Sequence, residues 1–537
     1  MLNLGNTIWF TGPSGYPWLT SFLALASVSL ILFLLQQLRV FRYWASRCIP
    51  GPTPVPVFGN MLQDLTAIVP DLDVHNVKAY GKVYGVYEMS MPVLNVADPD
   101  LLKDILVKDF NHIMDRRFLS GHRISQHFLI SLQGDEWKKA RTIINPTFTP
   151  AKMKAMMPLI QGCVLQLDEA ITKLITTSGG KDVDIQQLFA CYTMNSIAKC
   201  AFATDINAHE KDGNISFVDY AVKVVSIPLI RYLPYLLVPR SLLKMIGYSA
   251  SVPGAMDYLE STVKEIMKQR RGSATIVNTD LVQLLIDAGN SGNVGPPDEN
   301  MEDSESHHNQ EVGTMDRITG RDEKKTRLSE DEIIANSILV IVAGYHTTAT
   351  LLTYVSYALA MNPDVQDTLR EEIRRAYEDH GNRLGYETLS SLQFLDAVVS
   401  ESLRMYPSVI RVDRQVSKDY TLPSLNLCLK RGDVIRIPIY AIHHSADLYE
   451  DPGKFNPQRF LPQNRDKIIP YSYLPFGVGP RHCIGMRFAL LETKSAIAHL
   501  LLKFRLTRSL STPDPPDFSK ADFVLKTKGM LISIDLL

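Results

Sequence analysis

The feature that most constrains this chain is a short loop built around one cysteine. Three glycines and two prolines bracket Cys483 between Pro475 and Gly485, and a helix is predicted over Met486–Leu502. Glycines allow positive φ angles and close approach of the backbone to a ligand. Backbone N–H groups near a helix start can point at the sulfur and stabilise a thiolate. The loop is therefore typical of a thiolate that binds iron.

Two neighbours of Cys483 fit this interpretation. Arg481 is placed to pair with an anionic group near the metal, and Phe476 offers the sulfur an apolar cover. Two alternatives remain for the loop. A nucleotide-binding glycine loop would need a third glycine where His482 stands, and a preceding βαβ unit. A structural turn with a chance cysteine is the other.

The N-terminal stretch is the second strong signal. Residues 18–38 are almost wholly apolar, and no charged residue precedes Arg39. About 20 such residues are enough for a helix to cross a bilayer. Arg42 and Arg47 follow, which places that flank on the cytoplasmic side. We predict a single-pass anchor within residues 1–48. A cleaved signal peptide is the alternative, but it would want a basic start and a small-residue cleavage site.

The remaining sequence predicts one large body behind a connector. A proline-rich stretch over 49–60 indicates a stiff, extended hinge, with a plain linker as the alternative. The catalytic body spans 61–537, and residues 289–327 are polar enough to predict a flexible surface loop. The fold class is α+β, predominantly helical, with small β-sheets. Strand-like runs are found at Val83–Glu88, Val93–Val96 and Phe523–Ile534.

Composition excludes several classes of protein. The net charge is −1, with 45% apolar and 21% charged residues. That is ordinary for a globular protein and lacks the basic excess of a nucleic-acid-binding one. The six cysteines form no CxxC pair. Zinc ribbons, covalent c-type haem attachment and a secreted disulfide scaffold are therefore disfavoured.

A long helix is predicted to begin at Ser329, where Ser329 and Glu332 form a capping box. It ends before Pro363. About 33 residues at 1.5 Å each give nearly 50 Å, so this helix must cross the middle of the body.

The centre of that helix carries small and polar residues. Ala343 and Gly344 lie on the same face as Thr347, whose hydroxyl can bond the Ala343 carbonyl and open the helix locally. A glycine inside a helix costs about 1 kcal/mol relative to alanine. Close approach of a flat ligand is one reason for Gly344. Close packing of another helix is the alternative.

One carboxylate–arginine pair stands in an apolar run. Glu401 and Arg404 are three residues apart on a predicted helix, so their side chains meet. If they are buried, they need further hydrogen-bond partners. Arg459 is a candidate partner.

Together these motifs resemble the cytochrome P-450 family over nearly the whole chain. The match at the cysteine loop covers every fixed position of the family signature. Other elements are matched by the Glu-x-x-Arg pair, by the Phe-x-Pro-x-Arg-Phe arginine and by a Trp-x-x-x-Arg element. The matching residues are Phe476, Gly479, Arg481, Cys483, Gly485, Glu401, Arg404, Arg459, Trp137 and Arg141.

The resemblance implies a cofactor and a role for each residue. The cofactor is haem b (iron protoporphyrin IX), with Cys483 as the iron ligand. Trp137 and Arg141 bond a haem propionate, and Arg116 and Arg414 are further propionate contacts. Glu401, Arg404 and Arg459 are structural. The residues on the oxygen side of the haem are Ala343, Gly344, His346 and Thr347.

The resemblance also implies an activity and a location. The expected enzyme is a monooxygenase that inserts one atom of O₂ into a lipophilic substrate. Its electrons come from NADPH through a separate reductase, with cytochrome b5 as a second candidate donor. The enzyme is expected in the endoplasmic reticulum membrane with its catalytic domain in the cytoplasm. Lys82–Arg117 and Phe148–Leu159 resemble most the animal microsomal clan of drug- and steroid-oxidising enzymes and thromboxane synthase. Lys138 and Lys139 are reductase-docking candidates or ordinary surface lysines.

Two departures and two alternatives go with this resemblance. His346 stands where the family usually has an acidic residue, and a histidine can titrate near neutral pH and relay protons differently. Gln458 replaces a common glutamate.

An isomerase of a lipid endoperoxide is the first alternative, although Thr347 favours the oxygenase. A haem-binding protein without turnover is the second. The candidate substrate contacts are Val225–Ile246, Val409, Ile410 and parts of 118–130.

Overall fold

A computed structural model gives the fold of most of the chain. The described residues are 17–117, 122–179, 182–209, 215–225, 231, 234, 238, 240–272, 280–291, 327–520 and 524–537. The predicted flexible loop at 289–327 lies almost wholly outside the described residues, as do residues 118–121 and much of Val225–Ile246.

Helices dominate the described part of the chain. They are α1 Pro17–Val40, α2 Met61–Thr66, α3 Val69–Tyr80, α4 Pro99–Lys103, α5 Gly134–Ile144, α6 Pro150–Ser178, α7 Ile185–Phe202, α8 Ile215–Val225, α9 Arg240–Met245, α10 Ala255–Gly272, α11 Leu281–Ser291, α12 Glu330–Met361, α13 Pro363–Asp379, α14 Tyr386–Ser391, α15 Gln393–Met405, α16 Ile439–His443 and α17 Met486–Lys503.

Three small sheets accompany these helices. The largest has the order β1-β2-β7-β4, in which only β2 and β7 run parallel. The others have the orders β3-β9-β8 and β5-β6. The strands are β1 Val83–Glu88, β2 Met91–Val96, β3 Val183–Asp184, β4 Val412–Gln415, β5 Tyr420–Leu422, β6 Leu427–Leu429, β7 Val434–Ile437, β8 Phe504–Thr507 and β9 Leu531–Leu536.

Helix α12 forms the centre of the body, as its length predicts. The capping box is present: the Glu332 N–H donates to the Ser329 hydroxyl at 3.2 Å, and the Ser329 N–H donates to the Glu332 carboxylate at 2.7 Å. The helix packs against α7, α10, α15 and α17. Because α17 follows the cysteine loop directly, this packing fixes the loop relative to the helix.

The β4 edge of the largest sheet places two candidate residues side by side. Arg414 lies on β4 opposite Ile435 of β7. On the other side of β4, Asp115 forms an antiparallel bridge with Gln415. This pairing carries the next residue, Arg116, to the neighbourhood of Arg414, although the two are far apart in the sequence.

The proline-rich stretch is docked on the sheet. The Gly85 N–H donates to the Pro50 carbonyl at 2.8 Å. A Cβ at Gly51 would lie 2.0 Å from the Gly85 oxygen, and a Cβ at Gly85 would lie 2.3 Å from the ring of the buried Trp44. The connector therefore packs tightly on β1 where it meets the body.

Two described helical stretches are long and apolar enough to span a membrane. One covers Thr20–Arg47, and the protein buries only 6% of its most apolar window. The other is α12, whose window is 61% buried. Because most of the apolar window of α12 is buried in the core of the body, only the first of these two stretches is a candidate membrane anchor.

Candidate active site

Two of the three glycines in the cysteine loop are required by the backbone. Gly477 and Gly479 have φ angles of 70° and 73°, in the region that glycine adopts without strain. A Cβ at Gly479 would lie 2.0 Å from the Leu106 carbonyl oxygen. Gly485 differs, because its φ is −85° and it caps the N-terminus of α17. The positive φ angles and the close approach of Gly479 to Leu106 therefore define the path of this loop.

Cys483 lies among protein atoms but is not fully covered by them. The residue retains accessible surface, yet burial among protein atoms raises the pKa of the thiol. Both observations fit a side chain that lines an internal space. The Gly485 N–H bonds the sulfur, and the charges of Arg141 and Arg116 act with it to lower that pKa. Donors aimed at the sulfur are those that the loop predicted, and they favour the thiolate.

Three arginines near the loop have nitrogen atoms without partners. The Nε atoms of Arg116, Arg141 and Arg414 are all buried and lack a hydrogen-bond acceptor. Arg116 donates from Nη2 to the Arg481 carbonyl at 2.9 Å. Arg141 Nη2 lies 3.4 Å from His482 Nε2. These guanidinium groups are thus only partly satisfied by the protein.

The positive charges of these arginines are not neutralised by nearby carboxylates. Burial lowers the pKa of Arg414 well below its usual value, with the positive charges of Arg116 and Arg481 adding to the effect. Burial also lowers the pKa of Arg141 to about 10. The nearby Asp413 is already bound by Arg117 and Arg436. A buried surplus of positive charge with free donors is a site for an anion.

Arg481 is more fully used by the protein than the sequence suggested. It donates to the carbonyls of Met114, Leu129 and Leu132, at 3.0, 3.3 and 2.7 Å. Its guanidinium also lies over the Trp137 ring, 4.1 Å from the centroid. Three of the five N–H donors of an arginine are therefore occupied. Arg481 anchors the loop as well as facing any anion.

The Glu401–Arg404 pair is buried, as its apolar setting indicated. Both side chains have no accessible surface, and the pair is bidentate at 2.7 and 2.9 Å. Arg459 Nε lies 3.4 Å from Glu401 Oε1, which is a charge contact without a hydrogen bond, and the Asn456 N–H donates to the same oxygen at 2.9 Å. The pair thus has the additional partners that a buried ion pair needs.

In the centre of α12, Thr347 and Gly344 make different kinds of contact. The Thr347 hydroxyl donates to the Ala343 carbonyl at 2.6 Å, as predicted, and Ala343 is exposed although most of the helix is buried. A Cβ at Gly344 would lie 3.0 Å from Ile197 Cδ1 of α7. The glycine therefore permits close helix packing, which was the alternative interpretation. The helix is assigned as α-helix over its whole length, Glu330–Met361.

His346 does not titrate near neutral pH, contrary to the sequence-based expectation. Burial, with a smaller contribution from the charge of Lys526, lowers the pKa of His346 to about 4. Its Nε2 is buried without a hydrogen-bond partner. The imidazole is therefore neutral at physiological pH. It can pass a proton between its nitrogens but does not hold an extra one.

Comparisons with known proteins place these groups in a family. The family model described as Cytochrome P450 matches residues 49–534. The chain belongs to the cytochrome P450 family. Cytochrome P450 9e2 of Blattella germanica is 35% identical over 95% of this chain and 96% of its own length. Cytochrome P450 3A7 of Homo sapiens is 31% identical, again over 95% and 96%. Cytochrome P450 3A29 of Sus scrofa is 30% identical over 95% of each chain.

Membership makes the chain a cytochrome P450 monooxygenase with haem as its cofactor. The mainly helical body with small sheets agrees with the P450 fold. The described residues fit the cofactor. Two carboxylates of haem would supply the negative charge that Arg116, Arg141 and Arg414 lack, and acceptors for their unpartnered Nε atoms. Cys483 is the residue of this loop whose sulfur would ligate the iron.

Several contacts of the P450 core were not visible in the sequence. The Ser408 hydroxyl donates to the Thr347 carbonyl at 2.8 Å and ties α12 to the segment after α15. His443 contacts both Arg404 and the start of the cysteine loop. A lone serine or histidine carries no sequence signal for such contacts.

Lys138, Val409 and Ile410 are the remaining candidate residues that the structure places. Lys138 is half-buried and lies 3.8 Å from Asp135, an ordinary surface pair. Ile410 is buried in the core, and Val409 is half-buried and bridges to Val524 of the C-terminal segment.

Proposed function

We propose that this P450 is a single-pass membrane enzyme that inserts one atom of O₂ into a lipophilic substrate, using electrons delivered from NADPH by a separate reductase. The observation that supports it most is the setting of Cys483. A glycine-rich loop presents its sulfur to one backbone N–H and to a buried group of arginines that lack counter-charges.

The proximal residues would hold the cofactor. When bound, haem supplies the redox chemistry that activates O₂. Cys483 is the proposed iron ligand, with Phe476 and the Gly485 N–H beside it. Arg116, Arg141 and Arg414, with Trp137, are the proposed contacts of the propionates. The buried pair of Glu401 and Arg404, with Arg459, supports the loop from behind.

The residues of α12 would manage protons on the oxygen side. The Thr347 hydroxyl uses its proton on the Ala343 carbonyl, which leaves its oxygen lone pairs free to accept a hydrogen bond from a water. Because His346 is neutral, it can accept a proton at one nitrogen only while giving one up at the other. Proton supply at this site therefore depends more on Thr347 and water than on the residue before it.

The substrate class is set by an apolar environment. Residues 338–343 of α12, just before its polar centre, are all aliphatic, and Val409 and Ile410 follow α15 close to the Ser408–Thr347 contact. A site with this lining favours steroids, fatty acids or foreign lipophilic compounds.

Membrane attachment and electron supply complete the proposal. Residues 1–48 anchor the protein in the endoplasmic reticulum, residues 49–60 connect, and residues 61–537 form the cytoplasmic catalytic domain. Donors are NADPH–cytochrome reductase and cytochrome b5, for which Lys138 and Lys139 are candidate contacts.

Turnover of the full-length protein, reconstituted in lipid with a reductase, tests this function. The panel contains steroids, fatty acids, foreign lipophilic compounds and a prostaglandin endoperoxide. Products one oxygen heavier that require NADPH and vanish in Cys483→Ala support the proposal. A product of unchanged mass formed without NADPH would identify an isomerase, and ligand binding without any turnover would identify a haem carrier.

A further inference from the structure

His443, the last residue of α16, has a fixed partner at each ring nitrogen. Its side chain is completely buried. The Leu474 N–H lies 2.8 Å from His443 Nε2, and the Arg404 carbonyl oxygen lies 3.2 Å from Nδ1. An amide N–H can only donate and a carbonyl can only accept. The ring is therefore neutral, with its proton on Nδ1.

These two bonds join the buried ion pair to the cysteine loop. On one side, Arg404 donates from Nη1 to the carbonyl of His443 itself at 2.8 Å. On the other side, the Leu474 carbonyl accepts the Gly477 N–H at 3.0 Å. Farther along the loop, the Cys483 N–H donates to the Phe476 carbonyl at 2.9 Å. The contacts of Arg404, His443 and Leu474 thus lead into the backbone that carries the cysteine.

Other contacts hold the residues just before the loop without His443. The Tyr473 hydroxyl donates to the Ser400 carbonyl at 3.0 Å. The Tyr449 and Ser472 hydroxyls lie 3.2 Å apart. Replacement of His443 would therefore leave this segment attached and would release the Leu474 amide on one side and the Arg404 carbonyl on the other.

We propose that His443 is a positioning residue for the proposed iron ligand Cys483, and that it acts by accepting the Leu474 N–H at Nε2. This rests on the proposed function, in which Cys483 binds the iron. Nothing in this role requires His443 to touch the cofactor or the substrate. Its effect is to keep one loop geometry, which pairs the sulfur with its donors.

Two substitutions separate the two bonds of His443. In His443→Gln, an oxygen replaces Nε2 and can still accept from Leu474, while the donor to Arg404 is lost. In His443→Asn, the amide nitrogen replaces Nδ1 and can still donate to Arg404, while the Leu474 N–H is left buried without an acceptor. His444→Gln is the matched control. His444 is the next residue, and its Nδ1 bonds the Tyr440 carbonyl instead.

The measurements are amide hydrogen exchange over residues 472–485 of the full-length holoprotein and the Soret band of its ferrous carbonyl complex. We expect His443→Asn to speed exchange by about tenfold, since a buried amide loses its acceptor. It should also convert part of the thiolate-type carbonyl band to the band of a protein without a thiolate ligand. His443→Gln and His444→Gln should resemble the wild type in both measurements.

Equal behaviour of the Gln and Asn variants would overturn the proposal, as would wild-type protection and spectrum in His443→Asn. If His443→Asn does not fold, the Gln variant decides alone, and rapid exchange in its loop is the contradicting result. A wild-type protein without a thiolate-type band would instead refute the ligand role of Cys483, whatever the exchange rates.

Discussion

The Thr347 hydroxyl donates to the Ala343 carbonyl at 2.6 Å, at a point where Ala343 is exposed inside the body. We expect Thr347→Ala to lower product formed per NADPH by about tenfold or more, because a positioned proton-handling group of this kind contributes at least that much. NADPH oxidation should continue, with peroxide or water as the product. The measurement is the ratio of oxygenated product to NADPH consumed.

Thr353→Ala is the control for that experiment. Thr353 lies on the same helix and makes the same bond, to the Ala349 carbonyl at 2.7 Å, but it is buried in the core. Thr353→Ala should leave the ratio of oxygenated product to NADPH unchanged. Thr347→Ser should keep most of the wild-type ratio. A ratio that falls equally in both alanine variants would mean that the hydroxyl of Thr347 is merely structural.

Glu401→Gln removes one member of a buried ion pair. Arg404 would keep its charge with no accessible surface, which typically costs about 3–5 kcal/mol. Urea unfolding of the holoprotein should show a loss of this size. Glu371→Gln is the comparison, because Glu371 pairs with Arg374 on an exposed face and should change little. Similar small losses in both variants would contradict the burial of the first pair.

Arg414→Gln should weaken haem binding. Arg414 is buried with an unpartnered Nε, and we assign that donor to a propionate. A lost charge-assisted hydrogen bond predicts haem release about tenfold faster or more, measured by transfer to a haem scavenger. The comparison is Arg436→Gln. Arg436 is bound to Glu88 and Asp413, so Arg436→Gln should lower the free energy of unfolding more than it speeds haem release. Unchanged haem release in Arg414→Gln would remove this residue from the site.

Burial of His346 predicts a loss of stability in acid. Its folded pKa is about 4, below the value of about 6.5 for an unfolded histidine. The unfolded chain therefore binds the proton more readily between these values. This contribution is fully present above about pH 6.5 and is lost as the pH falls toward 4. The free energy of unfolding, measured across this range, should fall less steeply in His346→Gln. His380→Gln is the control, because His380 is exposed. An equal slope of unfolding free energy against pH in the wild type and both variants would show that His346 titrates freely.

Local signals explain which parts of the fold were predictable. The ends of α12 follow from the capping box at Ser329 and from Pro363, and the loop conformation follows from Gly477 and Gly479. Contacts between distant parts of the chain gave no such signal. His443 and Leu474 are 31 residues apart, and Arg116 and Arg481 are 365 residues apart.

The same limit applies to two residues of α12. Gly344 faces Ile197, and His346 loses its usual pKa through burial. Both depend on how other elements pack against the helix. Local spacing could place these residues on α12 but not assign their neighbours.

The measurement that bears most directly on the proposed site is the Soret band of the ferrous carbonyl complex in Cys483→Ala. The wild type and Cys428→Ala, which changes an exposed cysteine on β6, should both show the thiolate-type band. Cys483→Ala should lack it while the remaining fold is retained. A thiolate-type band that persists in Cys483→Ala would contradict the assignment of Cys483 as the iron ligand.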